Sequence, residues 1–242
     1  FSSDGKMILY THRSGNGEDQ GSALKIYSLE DQKTSTILED ANLNLSHSWF
    51  PKDEKILFSS RQGEERDLWL YSLKEDSKYQ ITNDKAEEHD PVISPDGEWV
   101  LFLQENEEGR NELYLISSEG GEKRQITSTG NFLFTPKSPA WSPDSKEIAY
   151  LSFTALVVRK MDKDEQEEFG MAGLSNIDDL LFHPTDKDLI FFNARESGGG
   201  FSSNLYLLSR ETGLPKVWKE NRPFLETSYH FSPDGKNLTY AR

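Results

Sequence analysis

The chain has 242 residues and a formal net charge of −15 at pH 7, from 27 Lys and Arg against 42 Asp and Glu. This balance argues against binding to nucleic acid, which needs a surplus of cations facing the phosphates, and against docking on anionic lipid. Aromatic residues make up 12% of the chain, too many for a disordered acidic segment.

Three further features bear on the class of protein. There is no cysteine, which excludes disulfides, thiolate metal sites and cysteine nucleophiles. Its absence fits an oxidising compartment, and many cytosolic proteins lack cysteine as well. The longest weakly polar stretch, 148–158, is too short to cross a bilayer, so we expect no direct membrane insertion. The chain starts at Phe1 without a basic-then-apolar leader, so we expect a processed chain or an excised piece.

The first predicted element is a six-residue turn motif, Phe1 to Lys6, that recurs along the chain. The later copies are 49–54, 93–98, 141–146, 182–187 and 231–236. Their third position, which is Pro in all copies but the first, falls at 3, 51, 95, 143, 184 and 233. A nearly fixed period of this kind indicates a repeat architecture.

Predicted strands follow each turn, because short alternating apolar runs bounded by turn residues are typical of strands. The first strand of each repeat covers 8–10, 56–58, 100–102, 148–150, 189–191 and 238–240. A second strand covers 24–27, 68–71, 113–116 and 205–208, and a third covers 36–38, 79–82, 124–127 and 216–218. The residues before each turn supply a fourth strand. Its aromatic column, which we expect to be buried between neighbouring repeats, is Trp49, Trp141, Phe182 and Phe231.

Four short antiparallel strands per period predict an all-β fold, a β-propeller of four-stranded antiparallel blades. We predict six blades with incomplete terminal ones, in a single domain over 1–242. The predicted repeats are about 1–45, 46–89, 90–137, 138–177 and 178–226, with a partial one at 227–242. Neither chain end supplies the strands that the other lacks, so we expect a longer polypeptide.

The turns themselves are predicted to be structural. In Pro-Asp-Gly the Pro presets φ and the Gly accepts a positive φ, and we expect the Asp side chains to cap their own turns. The fourth repeat differs from the others, because 155–158 follows almost directly on the preceding strand. Its charge run at 162–168 predicts an edge hairpin with a solvated tip.

These turns, with the Gln80-Ile81-Thr82 and Gln125-Ile126-Thr127 endings, resemble the TolB-like propeller repeat over essentially the whole chain. The resemblance implies a periplasmic or otherwise extracytoplasmic location. It also implies a protein partner, such as an envelope or peptidoglycan-associated lipoprotein. Similar repeats occur in the propellers of prolyl-oligopeptidase-like enzymes and in oligogalacturonate lyases. The motif is specific for the repeat and leaves the function open.

One face of the predicted propeller carries the longer loops, and long loops on a rigid scaffold are where binding usually occurs. The candidate partner-binding residues on these loops are Arg13, Arg61, Glu64, Glu65, Glu87, Glu88, His89, Glu107, Glu108 and Arg195. The arginines could face a carboxylate or simply pair with neighbouring glutamates. The acids are expected to be exposed and, if they bind, to prefer a basic partner.

Catalytic, cofactor and metal residues are not predicted. The chain has no Gly-x-Ser-x-Gly, His-Glu-x-x-His or phosphate-loop motif. His47, His89 and His230 precede their turns by different numbers of residues, so we expect no shared metal ion. The sequence thus favours a non-catalytic protein-binding scaffold without cofactors. The alternatives are the gate domain of a prolyl-oligopeptidase-like serine peptidase and a metal-dependent oligogalacturonate lyase-like enzyme.

Overall fold

The computed structural model describes residues 2–14, 21–40, 43–61, 65–128, 137–152, 155–198, 203–220, 229–232 and 234–240. They divide into two compact units, Phe1–Ser128 and Thr129–Arg242. Regular structure in the described ranges is almost entirely antiparallel β-sheet, with one short 3₁₀ turn at Pro51–Asp53. The all-β prediction is therefore confirmed.

The described residues of the first unit form three sheets, and in each the strands follow one another in chain order. The first sheet has three strands, β1 (Met7–Ser14), β2 (Gly21–Ser28) and β3 (Lys33–Asp40). The second has β4 (Leu43–Trp49), β5 (Lys55–Ser60), β6 (Asp67–Ser72) and β7 (Ser77–Gln80). The third has β8 (Glu88–Ile93), β9 (Trp99–Glu105), β10 (Asn111–Ser117) and β11 (Arg124–Gln125).

Three more sheets are formed by the described part of the second unit. The fourth has β12 (Lys137–Trp141), β13 (Glu147–Leu151), β14 (Ala155–Lys160) and β15 (Gln166–Gly170). The fifth has β16 (Leu174–His183), β17 (Asp186–Glu196), β18 (Asn204–Ser209) and β19 (Leu214–Glu220). The sixth pairs β20 (Tyr229–Phe231) with β21 (Leu238–Tyr240). The predicted hairpin of the fourth repeat is confirmed as β14 and β15, and Asp162 to Glu165 at its tip are exposed.

The core within each unit lies between successive sheets. Leu57 and Leu70 of the second sheet pack in one buried cluster with Val100 and Phe102 of the third. All five residues of β13 are buried, whereas all four of the outer strand β7 are exposed. Strands next to the core therefore bury both faces and read as continuous apolar runs rather than as an alternation.

The predicted aromatic column is partly confirmed. Trp141 and Phe182 are buried at 7% and 4% exposure. Trp49 and Phe231 are only half-buried, so the expectation of burial is wrong for these two. Trp49 packs at the edge of a cluster shared by the first two sheets, and Phe231 lies in the sixth sheet, which has two strands among the described residues.

The turn motif is closed by its own side chains, as predicted. In the fourth sheet, Ser142 Oγ donates to Asp144 Oδ1 (2.7 Å), and the backbone N–H groups of Lys146 and Glu147 donate to Asp144 Oδ1 (3.2 Å) and Ser142 Oγ (2.9 Å). The same three bonds recur with Ser2 and Asp4, Ser94 and Asp96, and Ser232 and Asp234. The four aspartates are thus occupied by the turn.

The strand before the turn is irregular in four of the described sheets, which the sequence pattern did not predict. Register shifts interrupt the pairing of β4, β8, β12 and β16 with the strands that follow them. In β8 the shift lies between His89 and Val92, and Asp90 there has φ of 50°. Such a bulge re-aims side chains at the edge of a sheet, and this one positions His89 and Asp90.

Candidate functional site

Three of the predicted loops meet at one edge of the second and third sheets. They are the β5–β6 loop, the β7–β8 connection and the β9–β10 turn. The backbone N–H of Glu88 donates to Arg66 O (2.9 Å), which ties the first to the second. The N–H of Glu105 donates to Glu87 O (3.0 Å), which ties the second to the third. The surface formed by the described residues of these three loops, which leave out 62–64, is called the loop edge below.

Glu87 is the centre of an ion-pair cluster on the loop edge. Arg61 Nη2 donates to Glu87 Oε1, and Arg66 Nε lies 3.8 Å from Glu87 Oε2. The Glu87 side chain is 20% exposed and that of Arg66 is 24% exposed. The sequence picked out Arg61 and Glu87 but missed Arg66, because Arg66 lies outside the register in which arginines recur.

His89 lies beside this cluster and has its own partners. Its Nε2 is 2.9 Å from Asn111 Oδ1, and its Nδ1 is 3.1 Å from Asp90 Oδ2. Burial lowers the pKa of His89, but the hydrogen bonds to Asp90 and Asn111 outweigh burial and raise it above the ordinary value. The loop edge therefore holds a histidine whose proton is stabilised by a carboxylate.

Glu88 does not lie on the surface. We expected an exposed acid, but its side chain is completely buried, and the expectation is wrong for this residue. Side chains of successive residues in extended backbone point to opposite sides, so Glu87, directly before β8, faces the loop edge while Glu88, the first residue of β8, faces inward. Thr82 Oγ1 donates to Glu88 Oε2 (2.8 Å), and Lys123 Nζ donates to Glu88 Oε1 (2.8 Å).

Lys123 connects several polar groups beneath the loop edge. Besides Glu88, it donates to Gln104 Oε1 (2.5 Å) and pairs with Asp84. Its ammonium group also lies about 6 Å from the ring centroids of Phe102 and Tyr114. No sequence pattern indicated this role, since Lys123 stands alone before the predicted third strand.

The recurring Gln-Ile-Thr ending has a structural explanation. Thr82 Oγ1 accepts from the backbone N–H of Leu68, and Thr127 Oγ1 accepts from that of Leu113, both at 2.9 Å. Each threonine then donates to a buried carboxylate, Glu88 in the first case and Glu112 in the second (2.6 Å). The repetition of this ending was a usable signal that a buried acid lies nearby.

The other predicted residues of the first unit divide into three groups. Glu107 and Glu108 are exposed on the β9–β10 turn, and Glu108 pairs with Arg110. Glu65 is half-buried on the β5–β6 loop. Glu64 and the side chain of Arg13 lie outside the described residues, although the backbone of Arg13 pairs with Ser22 in β1 and β2.

Arg195 belongs to the second unit and lies within β17 rather than on a loop. Its side chain is half-buried, and its carbonyl accepts from Ser175 Oγ (3.5 Å). The main charge network of this unit was missed. There Arg210, only 9% exposed, donates to both Glu147 and Glu167.

No helix in the described part of the chain has the length and apolar character needed to cross a membrane.

The sequence is similar to known proteins along most of its length. It is 29% identical over 174 residues to the uncharacterized peptidase YuxL of Bacillus subtilis, covering 72% of this chain and 24% of that protein. It is 28% identical over 196 residues to the TolB homolog of Chlorobium chlorochromatii, covering 77% of this chain and 40% of that protein. The chain thus spans less than half the length of either relative.

The structure is similar to the crystal structure of TolB from Acinetobacter baumannii, with a TM-score of 0.77 and 20% sequence identity. The match covers 96% of this chain and 57% of that one. It confirms the predicted fold class, a propeller of four-stranded antiparallel blades, while the number of blades stays a prediction. The profile of the TolB beta propeller domain family matches residues 1–138, more than half of the sequence, and the chain belongs to that family.

Proposed function

We propose that the chain is a protein-binding scaffold and that the loop edge is its contact surface. The observation that carries this proposal is the Glu87 cluster. It holds Arg61 and Arg66 of the β5–β6 loop against Glu87 of the β7–β8 connection, and the strands of two sheets support both segments. Preorganised charged groups of this kind favour a defined docking geometry. An extracytoplasmic location and an envelope protein as partner are supported by the similarity to TolB proteins.

The charge of the loop edge indicates the kind of partner. It carries Glu65, Glu87, Asp90, Glu105, Glu107 and Glu108, together with Arg61, Arg66, Arg110 and His89. Acids outnumber arginines, and Glu105, Glu107 and Glu108 are exposed. A partner with exposed Lys or Arg side chains would meet an opposite potential, which speeds encounter and disfavours wrong docking.

The experiment compares two charge-reversed proteins of equal net charge. Glu107→Lys/Glu108→Lys alters the loop edge, and Glu75→Lys/Glu98→Lys alters exposed acids at the opposite end of the same two sheets. A partner is first captured from envelope extract, and association kinetics are then measured with the purified partner. We expect the first variant to associate more slowly than the wild type, and the second to associate at the wild-type rate. Equal effects of both variants would contradict the choice of surface.

Salt provides a second measurement on the same pair of proteins. Attraction between exposed charges is screened over about 8 Å at physiological ionic strength. Association of the wild type should therefore slow as salt rises, while dissociation changes less. An association rate that is independent of salt would show that the loop edge does not steer the partner.

A second candidate function is the propeller portion of a serine peptidase. It is favoured by the relative described as a peptidase, of which this chain covers 24%. The complete gene product should then hydrolyse a chromogenic peptide substrate and be inactivated by a serine-directed reagent. If neither effect is seen, the protein-binding scaffold is the better description of the function. The prediction that the chain itself is not an enzyme stays a prediction.

A further inference from the structure

Glu88 is an ionisable group in the interior that the proposed contact surface does not use directly. Its side chain has no exposure to solvent, and it lies between Thr82, which follows β7, and Lys123, which precedes β11. It therefore joins the second sheet to the third. A charge in such a position depends on its few partners, because water does not stabilise it.

The charged and titratable groups of the network formed by Glu88 and Lys123 come from each neighbouring element. Asp84 lies on the β7–β8 connection, Asp67 on β6, and Glu112 and Tyr114 on β10. Lys123 is hydrogen-bonded to Glu88 and paired with Asp84. Lys123 and Asp84 also influence the ionisation of Asp67 and Tyr114. The ammonium group of Lys123 thus interacts with several acidic side chains at once.

This interior network is continuous with the loop edge. Glu87 and Glu88 are adjacent, so any movement of the Glu88 backbone moves Glu87, which holds Arg61 and Arg66. Asp84, the second partner of Lys123, accepts from the backbone N–H of Ala86 at 2.9 Å. The connection that presents Glu87 is consequently fixed at both ends by partners of Lys123.

We propose that protonation of Glu88 regulates the conformation of the β7–β8 connection and, through Glu87, the loop edge. This inference rests on the proposed function in so far as the loop edge binds a partner. Adding a proton to the Glu88 carboxylate removes one of the two ion pairs of Lys123 and leaves that cation to Asp84. The end of the connection at Glu88 then loses its ion pair with Lys123, while the other end keeps the pair between Asp84 and Lys123.

The surroundings of Glu88 place its protonation in a pH range that can be studied in the folded protein. Burial raises the pKa of Glu88 to about 6, although the hydrogen bonds from Lys123 and Thr82 act in the opposite direction. His89 on the loop edge also has a raised pKa, and burial raises that of Asp67. Any experiment must therefore separate Glu88 from these two groups.

The test is a pH titration of the free protein by NMR, from about pH 4 to about pH 8, with carbon-13 in the glutamate carboxyl groups. We expect one carboxyl signal with a midpoint near 6, absent in Glu88→Gln, and the same midpoint in the amide signals of Ala86 and Glu87. Glu98→Gln, an exposed acid in a turn of the third sheet, should leave those amide changes intact. Persistence of the amide changes in Glu88→Gln would overturn the inference, as would a Glu88 midpoint at the ordinary carboxyl value.

A second variant protects the test against a failure of Glu88→Gln to fold. Lys123→Gln removes the cation, and the Glu88 midpoint should rise by about one pH unit or more. An unchanged midpoint would contradict the proposed role of Lys123. The NMR titration needs no partner, whereas the association kinetics need one. Loop-edge binding without the titration would therefore reject only this inference, and the titration without binding would reject only the proposed function.

Discussion

Arg210 holds Glu147 at two points, with Nη1 2.8 Å from Oε2 and Nη2 3.2 Å from Oε1. Glu147 begins β13 of the fourth sheet, and Arg210 follows β18 of the fifth, so this pair links two sheets of the second unit. Arg210 also donates to Glu167 through Nε (3.1 Å) and Nη2 (3.0 Å). The planar guanidinium fork suits paired carboxylates, and lysine could not replace it at this site.

Replacing Arg210 by methionine should destabilise the protein by about 3–5 kcal/mol, because it leaves a buried carboxylate without its main partner. Urea unfolding would measure the change. The double variant Glu147→Met/Arg210→Met should recover a large part of the loss, since both charges are then removed. If the double variant were as unstable as Arg210→Met alone, packing rather than ion pairing would explain the effect.

The pair of Arg210 and Glu147 also predicts how the stability of the fold changes at low pH. Burial opposes ionisation of Glu147, but the hydrogen bonds and charge of Arg210 outweigh burial and hold the pKa of Glu147 below its ordinary value. A carboxyl with a lowered pKa stabilises the fold at pH values above the unfolded pKa, and this contribution is lost as pH falls. The free energy of unfolding should therefore fall more steeply below about pH 4.5 in the wild type than in Glu147→Gln. Parallel pH profiles would contradict this prediction.

The contribution of Glu88 to the free energy of unfolding should depend on pH in the opposite direction from that of Glu147. The pKa of Glu88 is raised from 4.5 to about 6 in the folded protein, so the folded state favours the neutral form. The contribution of Glu88 should then decrease by about 2 kcal/mol as pH rises from below 4.5 to above 6. The quantity to measure is the free energy of unfolding of the wild type minus that of Glu88→Gln, across that range. A difference that does not vary with pH would show that Glu88 has an ordinary pKa.

The turn motif offers a matched pair of serines. Ser142 is fully buried and makes two hydrogen bonds in its turn, whereas Ser232 makes the same bonds in a more exposed turn. Ser142→Ala should cost about 1–3 kcal/mol, because it leaves the buried N–H of Glu147 without its acceptor and removes one of the donors to Asp144. Ser232→Ala should cost less, since water can replace the hydroxyl. Equal unfolding midpoints for the two variants would argue against this distinction.

Trp141 tests the alignment of the repeats. It is 7% exposed and ends β12, directly before the turn at Ser142. Trp141→Ala should cost about 3–5 kcal/mol by leaving a cavity in the core. Trp218→Ala is the control, because Trp218 is 48% exposed on the outer strand β19 and should change stability much less. A wild-type midpoint for Trp141→Ala would mean that this column does not line the core.

The sequence predicted the blades well and the site only in part, for one physical reason. Turn residues and apolar periodicity act locally, so the turns of Asp4, Asp96, Asp144 and Asp234 could be read from single segments. Which face of a strand an acid takes depends on how that strand packs against the neighbouring sheet, and this packing leaves Glu88 buried while Glu87 faces the loop edge. The pairing of Arg210 with Glu147, 63 positions apart, leaves no local signal at all.

The turn at Pro51 shows how a repeat can persist after its signature is gone. It has neither the serine nor the aspartate of the full motif, yet the N–H of Phe50 still donates to Lys55 O (3.0 Å), as Ser142 N–H donates to Glu147 O (2.9 Å). The main-chain bond is thus the inherited part of the turn, and the side-chain closure can be lost from one copy without harm to the others. Among repeats of this kind, the main-chain hydrogen bond of the turn should therefore identify duplicated copies whose sequence motif has already been lost.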